Sequence, residues 1–320
     1  MVVFHHYYLQ PSSAVGRFFL NYGPFGVDVF FIISGFVMYY VVSLKPGTVR
    51  DYVASRLVRI APAYWLSTAL LVTAASAFPA QFEYTGWTAR TLVSSLLFVP
   101  TENPSGLGAF PTHIVGWTLN IEVFFYGLLG ACLVLGKRLR FWACAALLFV
   151  LPMVWREAWP YAAVLGRHKL WEFALGLGLG HFFLHLPALR ARAERSWWVP
   201  AGALCFALAL LALDRSGMRI LASAAIVFAA LCLETRAFRV ERSWVRIGRY
   251  LGTVSYSTYL LHLPWIGMQF QYFGRPDGAA AEALGLLLTS GAVLVMSHAS
   301  FRTIEAAAWV RRARKTLGGG

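Results

Sequence analysis

Acidic side chains are scarce in this 320-residue chain: 14 Asp and Glu stand against 28 Lys and Arg, and charged residues make up only 13% of the total. Soluble domains carry roughly a quarter of their residues charged, so a water-soluble enzyme or binding module is excluded. Cysteine is also rare. Cys132, Cys144, Cys205 and Cys232 all fall inside apolar runs, without metal-ligand spacing or an obvious disulfide pairing. They read as small buried hydrophobes, and no metal centre is expected. The opening residues lack the basic region and small-residue cleavage site of a secretory signal. There is no internal repeat, no soluble domain, and no low-complexity segment beyond the terminal Gly318, Gly319 and Gly320. A formal net charge of +14 would suit nucleic acid, but the cations lie between apolar runs and not on a face interleaved with polar and stacking residues. Nucleic acid is therefore excluded as a partner.

What the chain does contain is apolar sequence. It is 58% hydrophobic, with a mean hydropathy of +0.60, and a membrane-spanning helix needs about 20 predominantly apolar residues. Such stretches run approximately over Phe25 to Ser43, Ile60 to Phe78, Val115 to Gly136, Phe141 to Trp155, Leu170 to Leu184, Trp197 to Leu213, Ile220 to Leu233, Leu251 to Gln269 and Ala279 to Phe301. The opening MVVFHHYYL is half a span, so the first helix is expected to begin upstream of Met1. Leu92 to Val99 is too short to cross and is expected to be re-entrant or interfacial. With the first loop outside, most Lys and Arg fall on the inner side, including Arg50, Arg56, Arg59, Lys137, Arg190 and Arg246, and that bias sets orientation. The expectation is an all-α, polytopic transmembrane bundle of about ten spans, one domain over 1–320 with 302–320 as a cytoplasmic tail.

The stretch that organises the chain is DYVASRLVRIAPAYW, Asp51 to Trp65, followed by an uncharged run to Phe78. Arg56 and Arg59 are spaced i, i+3, so on a helix both guanidinium groups reach the same side. An arginine at full membrane depth costs about 2.5 to 3.5 kcal/mol, less near the surface where it snorkels. The pair therefore reads either as an anion clamp or as a headgroup anchor. His5 and His6 sit in the first apolar segment, where an ionisable group is a functional candidate by default and histidine is the side chain suited to proton transfer. Adjacent helical positions point about 100° apart, so one of the two at most is expected to face a shared cavity.

Asp28, near the start of the second span, either stabilises a helix N-terminus or orients the histidine or holds a cation. Ser34 and Gly35 read as close-packing positions. GWTLNIEVFFYGLLG places Asn120 and Glu122 within a span beside Trp117 and Tyr126. A carboxylate there needs a partner, and Arg56 or Arg59 is available. Glu172 is preceded by Arg167, His168 and Lys169, for which local pairing is the simpler explanation. Gly176, Gly178 and Gly180 read as helix packing because they follow no strand. Ser255, Tyr256, Ser257, Tyr259 and His262 read mainly as polar packing, with Tyr259 and His262 able to share a face and Pro264 expected to kink the span. His298 and Glu305 read as interfacial.

VVFHH at 2 to 6, GVDVFFIISGF at 26 to 36, RLVRIAPAYW at 56 to 65, WTLNIEVFFY at 117 to 126, WEFALG at 171 to 176 and SYSTYLLHLP at 255 to 264 together resemble acyltransferase family 3. These are integral-membrane O-acyltransferases of cell-surface and secreted glycans, and the resemblance spans nearly the whole chain. It implies transfer of an acyl group, most commonly acetyl, from cytosolic acyl-CoA to a hydroxyl of a saccharide or glycolipid, with no permanently bound cofactor. The family's first helix carries an arginine, ten residues and a histidine. His5 matches that histidine, and its arginine would precede Met1, about 16 Å away along a helix rising about 1.5 Å per residue. The family's paired arginines fall on Arg56 and Arg59, which would engage the CoA phosphates. His5 would be the general base; Asp28 or Glu122 would fix its tautomer, and Tyr64, Tyr126 or Asn120 would donate to the oxyanion, with Trp117 in support. Other readings are a succinyl or other acyl donor, a transporter in which the buried ionisable groups form a proton or anion path, or an inactive relative.

Overall fold

The computed structural model describes residues 1–9, 11, 13–44, 47–79, 82, 85–137, 139–154, 160–213, 216–238 and 243–306, leaving aside the side chains of 160–168, 216 and 235–238. Within these the fold is all-α, with no strand among the described residues. The helices are α1 (Val2–Tyr7), α2 (Ala14–Tyr22), α3 (Phe25–Leu44), α4 (Val49–Ala77), α5 (Ala89–Leu96), α6 (Trp117–Cys132), α7 (Arg140–Val154), α8 (Pro160–His185), α9 (Pro187–Arg195), α10 (Trp198–Ala212), α11 (Ser216–Phe238), α12 (Ser243–Phe273) and α13 (Ala279–Ser300). A 3₁₀ turn at Ile114–Gly116 leads into α6, and a π-helical turn at Phe301–Glu305 prolongs α13 into the segment expected to be tail. Of that tail, residues 307–320 lie outside the described residues.

Local chemistry explains several boundaries. Ser13 caps α2 by accepting the Gly16 N–H at 3.0 Å, as N-cap hydroxyls do. Thr88 and Thr91 cap α5 reciprocally, so the Leu92 to Val99 region becomes a short helix that does not cross.

Among the described residues, five helical stretches are long and apolar enough to cross a membrane: Ala14–Leu44, Val49–Ala77, Ile114–Cys132, Gly217–Glu234 and Ala279–Glu305. A sixth is reached if Lys169–His185 and Pro187–Arg195, bent by 95°, count as one broken span. The sequence predicts about ten. The difference has physical causes. Helices α7 and α10 have 15 residues each, which at about 1.5 Å per residue is shorter than a hydrocarbon layer of about 30 Å. Helix α12, 31 residues long, carries Tyr256, Ser257, Tyr259 and His262 within its apolar stretch. The outward faces suit lipid: Trp198 is 86% and Phe273 85% exposed. Cys132, Cys144 and Cys232 are buried as expected, whereas Cys205 lies on an exposed face of α10, a helix apolar all round.

The chain forms two compact units. One comprises Phe25–Val49 and Phe124–Tyr250. Here α3 packs on α8 through glycines: a Cβ at Gly35 would stand 2.3 Å from the Phe173 carbonyl oxygen, and one at Gly176 would stand 2.2 Å from that of Ile32. Small residues thus let the two backbones touch. Gly180 clears the Tyr39 ring in the same way, while Gly178 faces open space. Phe31, Phe173 and Phe125 continue the core as a run of rings 4.8 Å and 4.3 Å apart.

The other unit comprises Met1–Pro24, Arg50–Val123 and Leu251–Gly320. Tyr7, Tyr8 and Ile266 form one core there, joined by Phe4, Phe19, Phe270 and Leu286. The Tyr7 hydroxyl donates to the Glu282 carbonyl at 3.1 Å, fixing α1 to α13.

Candidate active site

The unit that contains α1 and the body of α12 also contains most of the polar candidates. The Nδ1–H of His5 donates to the Leu20 carbonyl at 3.0 Å. That bond fixes the neutral tautomer and leaves the Nε2 lone pair for chemistry. It also answers how the ring is oriented: a main-chain carbonyl on α2 makes the bond for which the sequence offers Asp28 or Glu122. The approach depends on Gly23, where a Cβ would lie 2.3 Å from the His5 Cβ. His6 then stands 5.1 Å from His5 and 5.1 Å from His262, centroid to centroid.

His262 is fully buried on α12. Its Nδ1–H donates to the Tyr259 carbonyl at 2.6 Å. Tyr259 in turn donates to the Val115 carbonyl at 2.8 Å and meets the Thr118 hydroxyl at 2.8 Å, so α12 is pinned to the start of α6. His113, in the loop before α6, donates from Nε2 to the Leu260 carbonyl at 3.0 Å. Burial pushes the His113 imidazole down to about 4, against the opposing pull of that bond, because a charged ring there would be stripped of water. The Tyr64 ring stacks with His113 (6.1 Å) and with Phe98 (5.1 Å). Phe98 holds φ at 59°, a left-handed conformation that a bulky residue adopts only under constraint.

Six residues before His262, about 9 Å along the helix axis, the Tyr256 hydroxyl donates to the Ile60 carbonyl at 2.7 Å. Tyr256 lies within electrostatic reach of Glu122, Glu305, Tyr64 and Arg59. Glu305 is more than interfacial, since it accepts the Ser257 hydroxyl at 2.5 Å. Arg56 and Arg59 lie one turn apart on α4. Arg59 is exposed and Arg56 half-buried, with its Nε–H donating to the Ser55 hydroxyl at 3.3 Å. Helix α12 therefore carries both His262, the neighbour of His6, and Tyr256, within electrostatic reach of Arg59.

The remaining candidates separate by what already engages them. The Tyr64 hydroxyl is bonded to Ser95 at 2.7 Å. Asn120 is fully buried, and neither its amide nitrogen nor its amide oxygen has a hydrogen-bond partner among the described residues. Trp117 opens α6, half-buried. Asp28 and Tyr126 fall in the other unit. There Asp28 accepts a short bond from Lys169, which also donates to Glu172 at 3.2 Å. The local pairing expected of Lys169 and Glu172 is present, and it extends to Asp28, for which Lys169 is the held cation. The side chains of Arg167 and His168 lie outside the described residues. Two features escaped sequence reasoning. A carbonyl such as that of Leu20 carries no residue-type signal, and His113 ends a loop with no motif of its own, its single clue being its place immediately before a span. Among the described residues no cluster of His, Cys, Asp and Glu is arranged to hold a metal.

The described helices make an all-helical protein with stretches long and apolar enough to cross a membrane, and comparison with known proteins gives its family. The model of the family described as "Acyltransferase domain" matches residues 1–298, and the chain belongs to that family. Over 165 residues it is 35% identical to "Exopolysaccharide production protein ExoZ" of Rhizobium meliloti (strain 1021), a match covering 51% of this chain and 51% of that protein. It is also 23% identical to "Nodulation protein 10" of Rhizobium leguminosarum bv. viciae, over 86% of this chain and 83% of that one. The match thus spans about half the length of the first of these relatives. No solved structure matches the chain.

Proposed function

We propose that the protein is a membrane O-acyltransferase that moves an acyl group, most simply acetyl, from acyl-CoA to a hydroxyl of a saccharide bound for the cell surface. The observation that carries this reading is the His5 imidazole, whose Nδ1–H is held by the Leu20 carbonyl so that Nε2 is presented as a base. Family membership and the printed name of the exopolysaccharide production relative favour the acyl chemistry and the saccharide class.

In this mechanism Nε2 of His5 takes the proton of the acceptor hydroxyl as its oxygen attacks the thioester carbonyl carbon. The tetrahedral oxyanion collapses, the C–S bond breaks, and the imidazolium returns the proton to the departing CoA thiolate. The buried Asn120 amide is the preferred oxyanion donor, because the Tyr64 hydroxyl is already engaged by Ser95 and a preorganised, unengaged donor stabilises developing charge best. Arg56 and Arg59 take CoA phosphate oxygens in forked pairs. Glu122, within reach of Tyr256 alongside Arg59, balances that positive rim. Asp28, held by Lys169, supports the other unit. About ten spans in a bacterial inner membrane, both ends cytoplasmic, complete the reading as one acyltransferase domain, on the strength of the Lys and Arg distribution.

The test is complementation. Cells deleted for the gene are supplied with the wild-type chain or His5→Gln, and base-labile ester on their secreted polysaccharide is measured. Wild type restores ester and His5→Gln leaves it lower by about 10²- to 10⁴-fold, the contribution expected of a general base. Ester in the His5→Gln cells at the wild-type level removes His5 from the chemistry.

A further inference from the structure

Resting on that reading, one group beside His6, the neighbour of His5, still has no task. His262 is fully buried, its Nδ1–H is committed to the Tyr259 carbonyl at 2.6 Å, and its neutral ring therefore carries a bare lone pair on Nε2. That nitrogen has no hydrogen-bond partner among the described residues. His113 repeats the pattern, with Nε2–H on the Leu260 carbonyl and a buried Nδ1 that likewise lacks a partner among them. A buried acceptor left unmet destabilises the fold, and an apolar side chain of the same shape would avoid that cost. A bare imidazole nitrogen calls for a donor, and in an apolar interior for a neutral one. The carbonyl oxygen and sulfur of a thioester are acceptors only, whereas a saccharide brings several O–H groups to the same place.

We propose that Nε2 of His262, whose ring lies 5.1 Å from the His6 ring that itself lies 5.1 Å from His5, accepts a hydrogen bond from a second hydroxyl of the acceptor. The site then selects polyhydroxylated acceptors over monohydric alcohols. His262 takes no proton in this role; it fixes the sugar while His5 deprotonates the reacting hydroxyl. A donor group on the CoA arm, such as an amide N–H, is the other source of a hydrogen bond, and the experiment separates the two.

Deletion cells are complemented with wild type, His262→Leu or His262→Gln, and ester on the secreted polysaccharide is measured. The same proteins, purified in detergent, are assayed for thermal midpoint and for retention of labelled acetyl-CoA. His262→Leu is expected to lose at least tenfold in ester with acetyl-CoA retention intact and the midpoint unchanged or raised. His262→Gln, whose amide oxygen restores an acceptor, recovers a measurable part. Wild-type ester in His262→Leu overturns the proposal. So does a fall in midpoint or in acetyl-CoA retention that accounts for the lost ester, and so does a Gln variant as inactive as the Leu variant. Wild type adding no ester defeats the acyltransferase reading itself and this inference with it, whereas ester in wild type and in His262→Leu alike defeats the His262 subsite alone.

Discussion

Asn120 sits inside α6 with both ends of its amide unmet by the described residues, a stability cost that folding alone does not explain. Replacing it by leucine, which keeps the branched four-atom outline without the polar atoms, is therefore expected to leave the protein as stable as before or more so by about 1 kcal/mol. Transfer falls about 10²- to 10³-fold, as when one oxyanion donor is removed. Melting in detergent and an acetyl-transfer assay read the two effects, and a less stable but fully active variant would make Asn120 structural. Gly23 makes a complementary case. A methyl there would press on the Cβ of His5 at 2.3 Å and its Cα at 3.1 Å, so Gly23→Ala shifts the imidazole. A displacement of about 1 Å costs about 10²-fold in rate, with melting lowered by the equivalent of about 1 to 3 kcal/mol. The sequence marks His5, Asn120 and Glu122 because ionisable and amide groups inside apolar runs stand out. It does not mark the Leu20 carbonyl, since every residue has one.

At the scale of the helix, Gly35 and Gly176 decide how α3 and α8 meet. Gly176→Val places branched carbons where the Ile32 carbonyl already lies 2.2 Å from a Cβ, and overpacking of this kind costs about 1 to 3 kcal/mol. The expected readout is a lower melting midpoint in detergent and faster proteolysis at residues 25–49 and 124–250; wild-type behaviour in both would mean that the crossing yields freely. Hydropathy makes α3, α4, α6, α11 and α13 legible because each is a long apolar run. Helix α12 is legible only as a run interrupted by tyrosine, serine and histidine, and those interruptions are the part that matters, for they hold α12 to α4 through Tyr256 and to α6 through Tyr259. The i, i+3 spacing puts Arg56 and Arg59 one turn apart on α4, but the proximity of Arg59 to Tyr256 joins residues nearly 200 positions apart and has no local sequence signal.

For the molecule as a whole, His113 ties stability to pH. Its imidazole ionises near 6.5 when unfolded and near 4 when buried in the fold, so the unfolded chain binds the proton first as pH falls. The stabilisation is complete above pH 6.5 and is lost progressively down to about pH 4, by about 3 kcal/mol in all. A thermal midpoint followed in detergent from pH 7.5 to 4 should decline over that window, and His113→Gln should flatten the decline; a curve unchanged by the substitution would contradict the burial argument. The account's central claim is that His5 supplies the base while Arg56 and Arg59 hold the CoA. It is tested most directly by measuring, on purified protein, labelled acetyl-CoA binding and acetyl transfer side by side for wild type, His5→Gln and Arg56→Ala/Arg59→Ala. The account predicts that His5→Gln binds acetyl-CoA like wild type but transfers at least 10²-fold more slowly, and that the double arginine variant binds it at least tenfold more weakly. Unimpaired binding by the arginine variant, or unimpaired transfer by His5→Gln, would contradict it.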